Sequence, residues 1–102
     1  MLPFAETLIG ECEDFILVRR EFFKDTPSEE LCWHRDREDR EVSLISGQEW
    51  YLQIDDELPR LMRAHKKFFI PKNIWHRLIS KNRTNLVIDV KKFKDECSNS
   101  NL

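Results

Sequence analysis

The feature that most constrains this chain is its succession of short apolar segments separated by turn-forming clusters. The segments are two to six residues long and rich in β-branched and aromatic side chains, with Pro, Asn, Asp, Ser or Gly between them. The predicted strands are residues 15–18, 29–34, 42–45, 50–54, 61–62, 68–70, 74–79 and 86–90. Helical periodicity is absent, although the first ten residues could hold one helical turn. The pattern predicts an all-β sandwich or barrel.

The length of the chain limits it to one domain. A chain of 102 residues builds a single hydrophobic core. We expect residues 1–94 to form that domain and the polar residues 95–102 to form a loose C-terminal tail. The three cysteines have no C-x-x-C spacing, which argues against a disulfide framework or a zinc knuckle. We therefore expect Cys12 and Cys32 to be buried and Cys97 to be exposed in the tail.

Charge and hydropathy exclude several classes of partner. The formal net charge is -2 and no basic stripe stands out, so nucleic-acid binding is not expected. The longest apolar runs are too short to cross a bilayer, and the N-terminus lacks a basic leader followed by an apolar block. We expect a cytoplasmic protein that binds a small molecule and no membrane.

Two histidines and one aspartate form the candidate chemical site. His34 ends one predicted strand and His76 lies in another, with several hairpins between them. Asp36 follows His34 by two positions, so in an extended segment both side chains point to the same face. Two imidazoles and one carboxylate suit a divalent transition metal such as Fe(II). The alternative is that Asp36 pairs with a nearby arginine while the histidines fill a semi-polar core.

The spacing of these residues resembles the two conserved motifs of the cupin superfamily. The first is His34-Arg35-Asp36 followed by Gly47, and the second is Pro71-x-Asn73-x-x-His76. Asn73 stands where cupins typically carry glycine, and asparagine tolerates a left-handed backbone better than most residues. The resemblance implies a small antiparallel jelly-roll barrel, the RmlC-like double-stranded β-helix.

The first motif departs from the metal-binding cupins, which carry a second histidine and a glutamate. Asp36 replaces that histidine, and either Arg40 or Glu41 occupies the glutamate position. Strand parity favours Arg40 on the inner face, because Val42 and Leu44 then point inward as well. Arg40 would then either pair with Asp36 or bind the anionic group of a ligand. Arg40 and Gln53 are therefore the candidate ligand-binding residues, beside the candidate metal ligands His34, Asp36 and His76.

Three functional hypotheses follow. The first is a cupin that binds a small anionic ligand in its barrel, with or without Fe, Zn, Ni or Mn. The second is a metal-dependent oxygenase or isomerase, because His-x-Asp with a distal His also resembles the 2-oxoglutarate oxygenases, with Arg83 near their substrate-binding arginine. The third is a non-catalytic oligomeric or assembly protein. Parity points Trp33 and Trp75 outward, which indicates a homodimer.

Overall fold

The computed structural model describes residues 4–23, 31–82 and 84–94. These residues form eight β-strands and no α-helix, and none of them belongs to a helix that could span a membrane. The strands are β1 (Ala5–Glu11), β2 (Phe15–Phe22), β3 (Arg40–Ser46), β4 (Trp50–Ile54), β5 (Arg60–Leu61), β6 (Lys67–Ile70), β7 (His76–Ser80) and β8 (Leu86–Phe93). The all-β prediction is confirmed.

The strands are arranged in two antiparallel sheets. One sheet has the order β1-β2-β8-β3-β6 and the other has the order β5-β4-β7. Every strand pair is antiparallel. Because successive side chains point to opposite faces of a strand, every second residue enters the core between the sheets. The core consists of Val18, Phe22, Val42, Trp50, Leu52, Met62, Phe68, Ile70, Leu78, Leu86, Ile88 and Val90.

Five of the described residues have a positive φ, which most residues avoid, and Asn73, His65 and Gly47 are among them. Asn73 has φ 64°, in the left-handed region, which confirms the role expected of it as a substitute for glycine. His65, in the turn between β5 and β6, has φ 67°. Gly47 has φ 139°, and a Cβ there would lie 3.1 Å from the carbonyl oxygen of Asn85. Asn73, His65 and Gly47 lie in the turns between β6 and β7, between β5 and β6, and between β3 and β4.

Three local predictions are wrong. The expected N-terminal helical turn is strand β1, which pairs with β2 from Ala5 to Glu11. Of the strand predicted over 29–34, only His34 makes a bridge, and residues 29 and 30 lie outside the described chain. Cys12 and Cys32 are exposed instead of buried, and Cys97 lies outside the described residues together with the rest of 95–102.

Candidate functional site

The two histidines meet through a single antiparallel bridge between the loop that precedes β3 and the first residue of β7. The backbone N–H of His34 donates to the carbonyl of His76 at 3.0 Å, and the N–H of His76 donates back at 2.8 Å. The two imidazole rings consequently lie edge to face with their centroids 4.2 Å apart. His76 is buried and His34 is half-buried.

Asp36 is held beside this pair by the turn before β7. Its backbone carbonyl accepts a hydrogen bond from the N–H of Asn73 at 2.7 Å. Its carboxylate oxygen Oδ2 lies 3.1 Å from Nε2 of His76. One ligand atom each from His34, Asp36 and His76 can be chosen so that all three lie within 4.8 Å of one another. The structure therefore brings together the three candidate metal ligands.

Backbone carbonyls fix the orientation of both imidazoles. Nδ1 of His34 lies 3.0 Å from the carbonyl oxygen of Cys32, and Nδ1 of His76 lies 2.9 Å from that of Ile74. A carbonyl oxygen only accepts, so each Nδ1 carries the proton. In a neutral ring Nε2 then keeps its lone pair, which is the state that a metal ligand needs.

The carboxylate of Asp36 lies in a cationic environment. Burial by itself would raise the pKa of Asp36, but contact with His76 and the charges of Arg40, His76 and His34 outweigh burial and lower the pKa. Oδ2 is shielded from solvent and, among the described residues, no donor meets it with hydrogen-bond geometry. This buried anionic oxygen faces Nε2 of His76, and the proton of that neutral imidazole ring is on Nδ1. The arrangement fits a cation shared between the two atoms, either a second proton on His76 or a divalent metal.

Arg40 lies on the inner face, in agreement with strand parity. Together with His76 it lines a cavity of about 30 Å³ in the barrel interior. Its Nη2 lies 3.3 Å from Oδ1 of Asp36 and 2.6 Å from Oε2 of Glu38, and its Nε donates to the same Glu38 oxygen at 2.7 Å. Glu41 is on the other face, 3.8 Å from the ammonium groups of Lys67 and Lys91. The guanidinium is thus paired with two carboxylates, one of which is the candidate metal ligand.

Gln53 is not brought to this site. Its Oε1 accepts a hydrogen bond from Nε of Arg77 at 2.9 Å, and its Nε2 donates to the carbonyl of Glu57 at 3.1 Å. Leu52 and Ile54 belong to or pack against the core, so Gln53 points to the opposite face of β4. Arg83 lies outside the described residues.

Trp33 and Trp75 point outward, as predicted. They are 40% and 46% exposed and flank the bridge between His34 and His76 on its outer face. The guanidinium of Arg77 lies 4.8 Å from the ring centroid of Trp33, and that of Arg35 lies 5.0 Å from that of Trp75. These two cross-strand cation–π contacts hold the loop against β7 from outside.

The sequence interpretation missed two inward-facing cations, Arg20 and Lys92. Arg20 is 6% exposed, lines the same interior cavity, and donates from Nε to Oε1 of Glu6 at 2.7 Å. Lys92 lies directly opposite Arg40 in the register of β3 and β8. Parity could have found both, because Arg20 alternates with Val18 and Phe22, and Lys92 alternates with Ile88 and Val90.

Comparison with known proteins identifies the fold. No family model matches the sequence, and no curated protein matches it either. Solved structures do match, among them a cupin domain from Bordetella pertussis Tohama I, with 16% identity, a TM-score of 0.68, and 92% of this chain and 96% of that chain covered. An RmlC-like cupin with a double-stranded β-helix fold from Methanocaldococcus jannaschii has 15% identity and a TM-score of 0.66, covering 88% and 79%.

A third match is named a putative mannose-6-phosphate isomerase from Ralstonia eutropha JMP134. It shares 15% identity with a TM-score of 0.68 and covers 90% of this chain and 85% of that chain. Identities this low identify the architecture and leave the activity open. The chain is a small protein with the cupin fold, as its motifs predicted.

Proposed function

We propose that this protein is a small cupin-fold barrel that binds a divalent transition metal through His34, Asp36 and His76, and a small anionic ligand next to it. The observation that carries the proposal is the convergence of these three side chains, with both Nδ1 atoms fixed by backbone carbonyls. The position of Asp36 Oδ2 adds to it, because this oxygen is shielded from solvent 3.1 Å from Nε2 of His76, and a buried anionic oxygen is costly unless a cation neutralises it.

The donor set fits several metals of the first transition row. Imidazole suits Zn, Fe and Ni, carboxylate oxygen suits Mn as well, and two histidines with one carboxylate leave open coordination positions for a ligand. A bound ion would supply a Lewis acid next to the ligand. Fe(II) is the metal on which the second hypothesis, a metal-dependent oxygenase or isomerase, depends.

Arg40 supports an anionic ligand. It is held on the inner face beside Asp36, and its planar guanidinium suits bidentate binding of a carboxylate or phosphate. One fold neighbour is named a putative mannose-6-phosphate isomerase, a name that is consistent with a phosphorylated ligand. When a metal binds the carboxylate of Asp36, the guanidinium of Arg40 would leave this carboxylate and bind the anionic group of the ligand instead.

Isothermal titration of metal-free protein with Zn²⁺, Ni²⁺, Mn²⁺ and anaerobic Fe²⁺ tests the proposal. We expect one ion per chain for at least one metal, and loss of that binding in His76→Asn. His65→Asn is the matched control, because His65 is exposed on a turn and outside the site. Circular dichroism would verify that both variants keep their strands. Absence of binding in the wild type, or equal affinity in His76→Asn, would contradict the metal site.

A further inference from the structure

A groove of about 450 Å³ lies on the surface next to the site. It is lined by Ile16, Arg37, Glu38, Arg40, Lys92, Phe93 and Lys94, and we call it the basic groove. Arg40 is the one described residue that lines both this groove and the interior cavity beside His76. The guanidinium of Arg40 therefore connects the candidate metal centre with an open, cation-rich surface.

We propose that the basic groove binds the oxyanion group, phosphate or carboxylate, of the small molecule that this protein takes up, and that Lys92 and Arg37 are the cations that contact it. The inference rests on the proposed function, because the other end of the ligand would reach the metal centre past Arg40. It specifies the ligand class as a phosphate ester or a polycarboxylate, and it places the oxyanion outside the small cavity of the barrel interior.

The sizes of the two spaces favour the groove. The interior cavity of about 30 Å³ has room for about one water molecule. It is also lined mainly by aliphatic side chains, among them Val42, Leu52 and Ile88. No metabolite fits there without displacing the core. The groove is about fifteen times larger and open, so the body of a ligand can lie in it while one end points towards Arg40.

The charges of the groove are unbalanced. Four of its lining residues are cationic and one, Glu38, is anionic. Glu38 is already bound by Arg40 at 2.6 Å, and the ammonium of Lys94 is bound to Glu11 and to the carbonyl of Cys12. The other two cations of the groove are Arg37 and Lys92.

Lys92 and Arg37 have little to neutralise them. The carboxylate nearest Lys92 among the described residues is Glu6, at 4.0 Å, and Glu6 is engaged with Arg20 at 2.7 Å. Arg37 is exposed and makes no ion pair within the described part of the chain. An oxyanion in the groove would meet two cationic donors that no carboxylate of the described residues approaches more closely than the 4.0 Å between Lys92 and Glu6.

The position of Lys92 is unfavourable in the absence of an anion. Lys92 and Arg40 are directly opposite each other on β8 and β3, and like charges in that relation are destabilising. Burial lowers the pKa of Lys92, the charge of Arg20 lowers it further and that of Arg40 contributes less, while Glu6 and Glu38 act in the opposite direction without cancelling the shift. A bound oxyanion would relieve this repulsion. Such an arrangement, which costs stability in the free protein, is typical of binding sites.

Anion titration followed by ¹H–¹⁵N NMR tests the proposal. Metal-free protein is titrated with inorganic phosphate and, separately, with citrate at constant ionic strength. We expect saturable shifts of the amides of residues 37–40 and 92–94 for at least one anion. Lys92→Met and Arg37→Met should each weaken that binding about tenfold, the effect of losing one charge-assisted contact. Lys81→Met, on the turn after β7, is the control for loss of one positive charge and should change it less than twofold.

The outcomes separate this inference from the proposed function. Binding of phosphate alone assigns a phosphate ester, and binding of citrate alone assigns a carboxylate. Absence of saturable binding, or equal weakening in all three variants, overturns the groove as a site. A parallel Zn²⁺ titration of Lys92→Met should give wild-type affinity, because Lys92 is not a metal ligand. If the wild type binds anions through Lys92 but binds no metal, the result supports the groove as an anion site and contradicts the metal centre.

Discussion

Replacing Arg40 with methionine should lower the stability of the metal-free protein and raise its affinity for metal. Methionine keeps much of the length of the side chain, so the main loss is the guanidinium. That group lies 2.6 Å from Glu38 and 3.3 Å from Asp36, and its side chain is 13% exposed. The two effects have opposite signs because Arg40 neutralises Asp36 in the free protein and competes with a metal for the same carboxylate.

The exposures and distances in the structure give the expected loss of stability and the expected gain in metal affinity. Breaking a fully buried ion pair costs about 3–5 kcal/mol. Glu38 is 27% exposed and can rehydrate in part, so we expect a loss of about 2 kcal/mol, or roughly 10 °C in Tm for a domain of this size. The Arg40–Asp36 attraction at 3.3 Å is worth about 5 kcal/mol before desolvation, at an effective dielectric constant of 20. If about a third of this attraction remains after desolvation, its removal in Arg40→Met raises the metal affinity by a factor on the order of ten.

Thermal unfolding in a chelator and isothermal titration with Zn²⁺ measure the two effects separately. Arg60→Met is the matched control, because Arg60 is exposed and pairs with Glu57 away from the site. We expect this control to leave both quantities near those of the wild type. Unchanged or weaker metal binding in Arg40→Met would refute the competition between Arg40 and the metal for Asp36.

Three further predictions follow from the structure. Asn73→Val should lower the free energy of unfolding in urea by about 1–2 kcal/mol, because a β-branched residue disfavours φ 64°. Asn73→Gly should be tolerated, and equal effects of the two substitutions would contradict the left-handed turn. Lys92→Met should stabilise the anion-free protein by about 0.5 kcal/mol by removing the repulsion with Arg40, and a lower urea midpoint would contradict it. The outward Trp33 and Trp75 predict a homodimer, so light scattering should give twice 12.4 kDa, and a monomer at working concentration would disprove it.

The strands that bury one face could be predicted from the sequence because burial leaves an alternating pattern. Alternate residues of β2, β4, β7 and β8 are buried, and all four strands were predicted, but the predictions ended β2 at 18 and β8 at 90, whereas these strands continue to Phe22 and Phe93. β1 could not be found in this way, because nearly all of its residues are exposed. Its conformation comes from backbone pairing with β2, which depends on a partner and not on its own side chains.

In the site too, features that depend on spacing along the chain could be predicted, and features that depend on a distant partner strand could not. The spacing of His34, Asp36 and His76 sufficed to group them, and the parity of Val42 sufficed to turn Arg40 inward. The backbone carbonyls that orient both imidazoles could not be predicted, because they depend on the bridge between His34 and His76. Parity with Leu52 could have shown that Gln53 lies on the outer face of β4, away from the three candidate metal ligands.

The most direct test of the account is an anomalous-scattering map from crystals of the protein grown with Zn²⁺. We expect one strong peak per chain, about 2.0–2.2 Å from Nε2 of His34, Nε2 of His76 and a carboxylate oxygen of Asp36. A map with no peak between these three side chains, from a crystal in which they are ordered, would contradict the metal centre. The three residues would then be a salt-bridged part of the core, with Arg40 and His76 sharing the charge of Asp36.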